Sequence, residues 1–229
     1  MVDSSGSTPN SKMSESEVLR CGALYVVATP IGNLEDISAR AKKTLSTVDT
    51  VLAEDTRVFK FLALKLGISP RIISYHDHNE ADRAGNALAE MKSGKSLALV
   101  SDAGTPCISD PGYRIVKACR DNGIPVFSIP GPNAGLAALS ISGLPVHRFV
   151  FEGFLPVQSG KRSKLLQTII DRGITTICYE SVHRIEKTVT TLAELAPGAL
   201  VFIGRELTKL HEEHLFGPAS EIAARVRSE

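Results

Sequence analysis

The sequence predicts an α/β protein built from two alternating units, each a sheet flanked by helices. Three observations carry that expectation. Apolar runs of strand length alternate with amphipathic stretches of helical period, the connections between them are short, and several loops rich in Gly, Pro, Asp and Asn directly follow apolar runs. Strand–helix alternation with short crossovers makes a parallel sheet covered on both faces, and such sheets bind ligands beyond the carboxyl ends of their strands. The length agrees, since 229 residues, 43% of them apolar, suffice for one large or two small domains with a true core.

In chain order, residues 23–28 (ALYVVA) read as a buried strand and residues 38–48 as a helix capped by Asp36 or Ser38. Residues 50–53 make a short second strand. Residues 56–66 carry Val58, Phe59, Leu62, Leu64 and Leu66 along a helix that Gly67 stops, because glycine takes the left-handed C-cap without penalty. A third strand at 72–74, a helix at 81–91 ended by Gly94, a fourth strand at 96–100 (SLALV) and a helix at 114–121 follow. A fifth strand at 126–129 leads into a helix of small residues at 134–141. Residues 144–148 read as a domain link. Beyond it come a strand at 149–154, a basic helix at 161–171, a strand at 175–179, a helix at 183–195 and a strand at 200–203. Residues 207–216 are a strand or an irregular turn, and 225–229 lie in a helix. The division is a flexible tail at 1–21, an α/β domain at 22–143 and a second at 147–229.

Composition narrows the function classes. Residues 1–17 are polar and Ser-rich with no apolar h-region, so they read as a tail and not as a secretion signal. No apolar run reaches the ~18 residues that a membrane span needs. Cys21, Cys107, Cys119 and Cys178 form no CxxC pair, which suits reduced thiols in a cytoplasmic protein. Cys119 and Cys178 sit in apolar stretches as small core residues. His211 and His214 form an isolated HxxH spacing, too little for a metal site, and no metal is expected. A net charge of +1 neither supports nor excludes a nucleic-acid partner, because local patches carry such binding.

The unusual loops fall at predicted strand ends: 29–36, 101–112 and 130–134. The second, SDAGTPCISDPG, sets two Asp among two Gly and two Pro, which gives it a defined shape. Its carboxylates can accept hydrogen bonds from ribose hydroxyls or a ligand ammonium; the alternative is a tight turn with solvated Asp. The first, TPIGNL, is neither a GxGxxG fingerprint nor a P-loop, which argues against NAD, FAD and ATP. The third, PGPNAG, opens a helix whose small residues let a flat ligand approach, or simply pack it tightly on the sheet.

At these loops the sequence becomes recognisable. TPIGNLEDIS, EDTR (54–57), SYHDHNE (74–80), SDAGTPCISDPG, PGPNA, YESVHRI (179–185) and GRELTKLHEE (204–213) resemble, in order, the 16S rRNA cytidine 2′-O-methyltransferases, a branch of the tetrapyrrole (corrin/porphyrin) methylase superfamily. The resemblance runs from about Gly22 to Gly217. Val182 stands where the family carries Pro. Family members also continue beyond Glu229 through a further strand and a tail, so the second domain is expected to lack that strand and to expose a sheet edge or an apolar face.

The resemblance implies two α/β domains with S-adenosylmethionine folded into the cleft between them, a homodimer, and the small ribosomal subunit as partner. By motif, Pro30, Gly32, Asn33, Asp102, Ala103, Gly104, Thr105, Asn133 and Ala134 line the cofactor from the first domain, and Tyr179 and Glu180 from the second. A ribose hydroxyl is a poor acid, so a general base should help. Glu54, Asp55, His76, His183 and Glu206 are candidates for it, and Arg57, Arg184 and Arg205 for holding phosphates or carboxylates; each can equally be a salt-bridge partner. Lys161, Arg162 and Lys164 are the one dense basic cluster, an RNA-backbone contact or a solvated helix face. Two readings compete, a methyltransferase for a tetrapyrrole or other small molecule and a non-catalytic cofactor binder. SYHDHNE, YESVHR and GRELTK resemble only the RNA branch.

Overall fold

Why the loops can meet follows from the strand order. The computed structural model describes residues 19–77 and 79–227, so the stretch 1–17 read as a tail lies outside the described residues. Five strands, β1 (Leu24–Val27), β2 (Thr50–Ala53), β3 (Arg71–Ser74), β4 (Leu97–Val100) and β5 (Val126–Ile129), form one parallel sheet in the order β3-β2-β4-β1-β5. The chain starts inside the sheet, runs outward to β3, then returns through β4 to β5. β4, β1 and β5 are therefore neighbours, in register from Leu24 against Leu97 on one side and Val126 on the other.

Alternation along these strands splits the core in two. Tyr25, Val27, Val51, Ala98 and Val100 face α1 (Ala39–Thr47) and α2 (Thr56–Leu66). Leu24, Leu52, Leu97 and Leu99 face α3 (Glu80–Lys92) and α4 (Tyr113–Asp121). All four residues of β2 and of β4 are buried, as a sheet covered on both faces requires. Local signals end the helices where expected. Ser38 Oγ caps α1 on Ala41 N–H, and Gly67 closes α2 at a φ of 68°. A short 3-10 turn, Leu34–Asp36, goes beyond the expected elements; it forms because Asn33 caps it.

After α5 (Ala134–Ile141), the carboxy-terminal unit is built differently. β6 (Phe149–Phe154) and β7 (Thr175–Tyr179) pair in parallel around α6 (Ser159–Arg172). β8 (Leu200–Arg205) and β9 (Glu213–Pro218) form an antiparallel pair, with α7 (Ile185–Leu195) before it and α8 (Ala219–Val226) after it. The stretch 207–216, read as strand or turn, is both, turning before Glu213 and pairing after it. Among the described residues β7 and β8 do not pair. An apolar cavity of about 1120 Å³ lies between them, lined by Ile177, Tyr179, Val201 and Ile203 among others. The buried cluster here is small: Val189, Leu215, Ile222 and Ala223. Cys119 is fully buried and Cys178 half-buried, and all four cysteines are free thiols.

Candidate functional site

The loops leaving the carboxyl ends of β4, β1 and β5 are tied to one another. Thr29 N–H donates to Gly104 O at 2.9 Å and Gly104 N–H returns to Thr29 O at 3.0 Å, a two-bond bridge between the first loop and the second. Thr105 Oγ1 donates to Pro132 O at 2.9 Å, joining the second loop to the third. Pro30, Gly32, Asn33, Asp102, Ala103, Gly104, Thr105, Asn133 and Ala134 thus come onto one rim, although they are scattered over a hundred positions of sequence. Asn133 Oδ1 caps α5 by accepting Leu136 N–H at 3.0 Å, so its side chain has a structural task there.

Beside this rim, β2 delivers Glu54 and Asp55. Asp102 Oδ1 accepts Asp55 N–H at 2.9 Å, and Glu54 Oε2 accepts Asp102 N–H at 3.4 Å. Burial pushes the Glu54 carboxyl up, and the charges of Asp102, Asp110 and Asp77 push the same way. Asp110 is likewise raised, first by burial and then by Asp102 and Asp77. Two carboxyls with proton affinity above the ordinary range therefore stand close to Asp102. Asp55 behaves oppositely. The Arg57 guanidinium, hydrogen-bonded to it at 2.6 Å, holds it down at about 2, so Asp55 is a committed carboxylate and a poor base. His76 is also engaged. Asn79 Oδ1 accepts the His76 N–H at 3.0 Å, which turns Asn79 Nδ2 toward His76 Nε2 at 3.1 Å. That contact occupies Nε2 within its own loop.

The carboxy-terminal unit meets the rim at three close approaches. Tyr179 Oη accepts Gly135 N–H at 3.2 Å. Gly153, at a bulge in β6, has a φ of 66°, and a Cβ there would lie 2.8 Å from Ser109 Oγ. Asn33 N–H donates to Thr208 Oγ1 at 3.1 Å. A cavity of about 300 Å³ is lined by Ile31, Asp36, Gly131, Pro132, Asn133, Ala137 and Thr208. It is smaller than the space between β7 and β8, but it lies on the rim, whereas the larger one has mostly apolar walls and meets the rim at Ala134 and Gly135.

Several expected residues are occupied elsewhere. Glu180 has a side chain only 5% exposed and accepts from Arg184 Nη2 at 2.6 Å, Ser181 N–H at 2.7 Å and Thr188 Oγ1 at 2.7 Å. Arg184 Nη1 also donates to Leu155 O at 3.3 Å. This pair braces the corner after β7 and leaves Glu180 little capacity for a ligand. Glu206 pairs with Lys209 at 3.0 Å, and Arg205 with Glu213. His183 is exposed, with its N–H donating to Ser181 Oγ at 3.3 Å. The basic cluster needs correction. Arg162 is buried and donates to Pro156 O and Val157 O, because its place on the first turn of α6 points it inward, so only Lys161 and Lys164 remain exposed. Of the two carboxylates in the 101–112 loop the resemblance assigns only Asp102 to the cofactor, and it does not assign Thr208. Asp110 shares the rigid Asp/Gly/Pro loop with Asp102, a signal that was available. Thr208 had none, because its importance lies in a partner 175 positions away. Among the described residues no group of three or more His, Cys, Asp or Glu is placed to hold a metal.

Comparison with known proteins fits this geometry. The family model for tetrapyrrole (corrin/porphyrin) methylases matches residues 23–223. The ribosomal RNA small subunit methyltransferase I of Escherichia coli O157:H7 is 46% identical over 209 residues, which is 91% of this chain and 73% of that protein. The protein of the same name from Thermotoga maritima is 44% identical over 200 residues, 87% of this chain and 90% of that one. Among solved structures, a cobalt precorrin-4 methyltransferase superposes with a TM-score of 0.66 at 17% identity, covering 90% of each chain. A uroporphyrin-III C-methyltransferase from Thermus thermophilus, complexed with S-adenosyl homocysteine, gives 0.59 at 19% identity, covering 90% of this chain and 92% of that one.

Proposed function

This chain is a methyltransferase of the tetrapyrrole (corrin/porphyrin) methylase family, and on that premise we propose that it transfers the methyl group of S-adenosylmethionine to the 2′-hydroxyl of a cytidine ribose in 16S ribosomal RNA of the small subunit. The observation that carries this reading is the reach of the likeness. At 46% identity over 209 of the 229 residues it extends through the carboxy-terminal unit as well as the cofactor loops.

The residues present suit the cofactor. Glu54, Asp102 and Asp110 give the rim a negative character that favours a cationic sulfonium and ammonium, and Gly131 and Ala137 leave room for a flat ring. S-adenosylmethionine supplies an electrophilic methyl group. We assign Pro30, Gly32, Asn33, Asp102, Ala103, Gly104, Thr105, Asn133 and Ala134 to its binding, with Tyr179 on the opposite wall, and Glu180 to bracing that wall. Alignment of the hydroxyl with the methyl group can supply on the order of 7–11 kcal/mol of barrier reduction. Glu54 and Asp110, with their raised proton affinity, are the groups suited to take the hydroxyl proton. Arg57, whose side chain is 88% exposed beside Asp55, is the cation we assign to an RNA phosphate.

We take 22–143 and 147–229 as the two domains, the protein as a cytoplasmic homodimer, and an assembled small-subunit particle as the acceptor. No helix among the described residues is long and apolar enough to cross a membrane. The test incubates the protein with labelled S-adenosylmethionine and either small subunits or free tetrapyrroles, then analyses digested nucleosides by mass spectrometry. A 2′-O-methylcytidine is expected; a methylated base, or a labelled tetrapyrrole with unlabelled RNA, contradicts the assignment. Light scattering at micromolar concentration should give twice the chain mass, and the monomer mass would contradict the dimer.

A further inference from the structure

The turn after β8 is strained in a way that the assigned residues leave unexplained. Glu206 and Thr208 have φ values of 53° and 67°, in the left-handed region that favours glycine. For a β-branched residue such as Thr208 that is a true outlier, and it persists only where the surroundings hold it. Three contacts do so. Glu212 Oε2 accepts Thr208 N–H, Lys209 N–H donates to Glu206 O at 2.9 Å, and across the cleft Asn33 N–H donates to Thr208 Oγ1 at 3.1 Å.

The facing loop is shaped for this contact. A Cβ on Gly32 would lie 2.5 Å from Lys209 Cγ, 2.9 Å from Thr208 Oγ1 and 3.1 Å from Leu207 O, so only glycine lets the two backbones approach this closely. Thr208 is also the one residue that the carboxy-terminal unit contributes to the wall of the 300 Å³ cavity on the rim. That volume is at the lower end for ligand pockets, about 300–1,000 Å³, and Asn133, one of the residues assigned to the cofactor, lines it opposite Thr208.

We propose that Thr208 is a positioning residue for methyl transfer: its hydroxyl clasps the 29–33 loop across the cleft, pressing that loop on bound S-adenosylmethionine and releasing it for cofactor exchange. The proposal rests on the cofactor assignment above.

The test compares Thr208→Val, which removes the acceptor and keeps the branched shape, with Thr208→Ser, which keeps the acceptor and removes the branch. Gly32→Ala, which drives a methyl group into the turn, opens the contact from the other side and is read at Asn33 alone, because Gly32 is itself assigned to the cofactor. Two quantities are read: amide exchange at Asn33, and the dissociation rate of S-adenosylmethionine by stopped flow. Loss of one neutral hydrogen bond should raise both by about three- to tenfold in Thr208→Val. Gly32→Ala should speed Asn33 exchange in the same way, and Thr208→Ser should track the parent in both. Unchanged Asn33 exchange in Thr208→Val overturns the clasp. Faster exchange with unaltered cofactor release overturns its positioning role alone. A parent protein that binds no S-adenosylmethionine overturns the cofactor assignment, and this role with it.

Discussion

At the scale of single residues, the site is governed by how each carboxyl is surrounded. Asp102 lies in a loop tied on both sides, and its Oδ1 already accepts Asp55 N–H, so it is pre-set before any ligand arrives. Asp102→Ala should weaken S-adenosylmethionine binding about tenfold or more, the loss of a charge-assisted bond of roughly 1.5–3 kcal/mol. Calorimetry that finds unchanged affinity removes Asp102 from the site. Glu54 makes a different prediction. A carboxyl raised on folding favours the fold below its ordinary pKa, and that contribution is lost as pH rises through the raised value. Asp55, lowered from 3.8 to about 2, favours the fold above its ordinary pKa and loses that effect as pH falls toward the lowered value. Glu54→Gln removes the repelled charge, so the variant should melt above the parent at neutral pH. The gain should vanish as the pH approaches roughly 4, where both side chains are neutral. Calorimetric scans at several pH values decide it, and a variant that melts below the parent at pH 7 refutes the account. If Glu54 also takes the hydroxyl proton, methyl transfer in the same variant falls by far more than cofactor affinity does.

At the scale of elements, α6 shows how one turn of helix divides a charge cluster. Lys161, Arg162 and Lys164 are close in sequence, but a period of 3.6 residues sends Arg162 to the buried face. Its guanidinium ties down the backbone ahead of the helix through two carbonyls. Arg162→Ala should therefore cost about 1–3 kcal/mol by leaving those carbonyls without their partner. In a chain of this size that lowers the Tm by about 2–4 °C per kcal/mol. Lys161→Ala with Lys164→Ala should leave the Tm nearly unchanged and flatten the salt dependence of particle binding. Melting curves and binding at two salt concentrations separate the roles. An Arg162 variant with parental Tm and a flattened salt slope would return that residue to the RNA surface.

At the scale of the whole molecule, stability is unevenly shared. The five-stranded sheet buries apolar side chains on both faces, and β2 and β4 are sealed along their length. The carboxy-terminal unit has four buried apolar residues in its cluster, two separate strand pairs and a large apolar cavity between them. Local opening follows contact density. Native-state hydrogen exchange should show β6 to β9 opening at lower free energy than β1, β2 and β4. Exchange in both units by one common global event would mean that the contacts at Tyr179, Gly153 and Thr208 fuse them into a single cooperative body.

Periodicity and punctuation determined the elements, because buried runs such as 97–100 and stops such as Gly67 act within a few residues and need no partner from afar. The resemblance of short motifs determined the family and, with it, the loops expected to hold the cofactor. Tertiary structure alone decided how those loops combine. The order β3-β2-β4-β1-β5 brings the ends of β4, β1 and β5 side by side, and sequence periodicity carries no strand order. It likewise decided which charges are spent internally. Glu180 and Arg184 look like site residues in the YESVHR motif, yet they are consumed by each other and by Thr188. Thr208 looks like an ordinary turn residue and becomes a contact to Asn33 only once two units have packed. Local signals are written in the spacing of neighbours; a side chain's role depends on what desolvates it and what it touches, and those neighbours arrive from the far end of the chain.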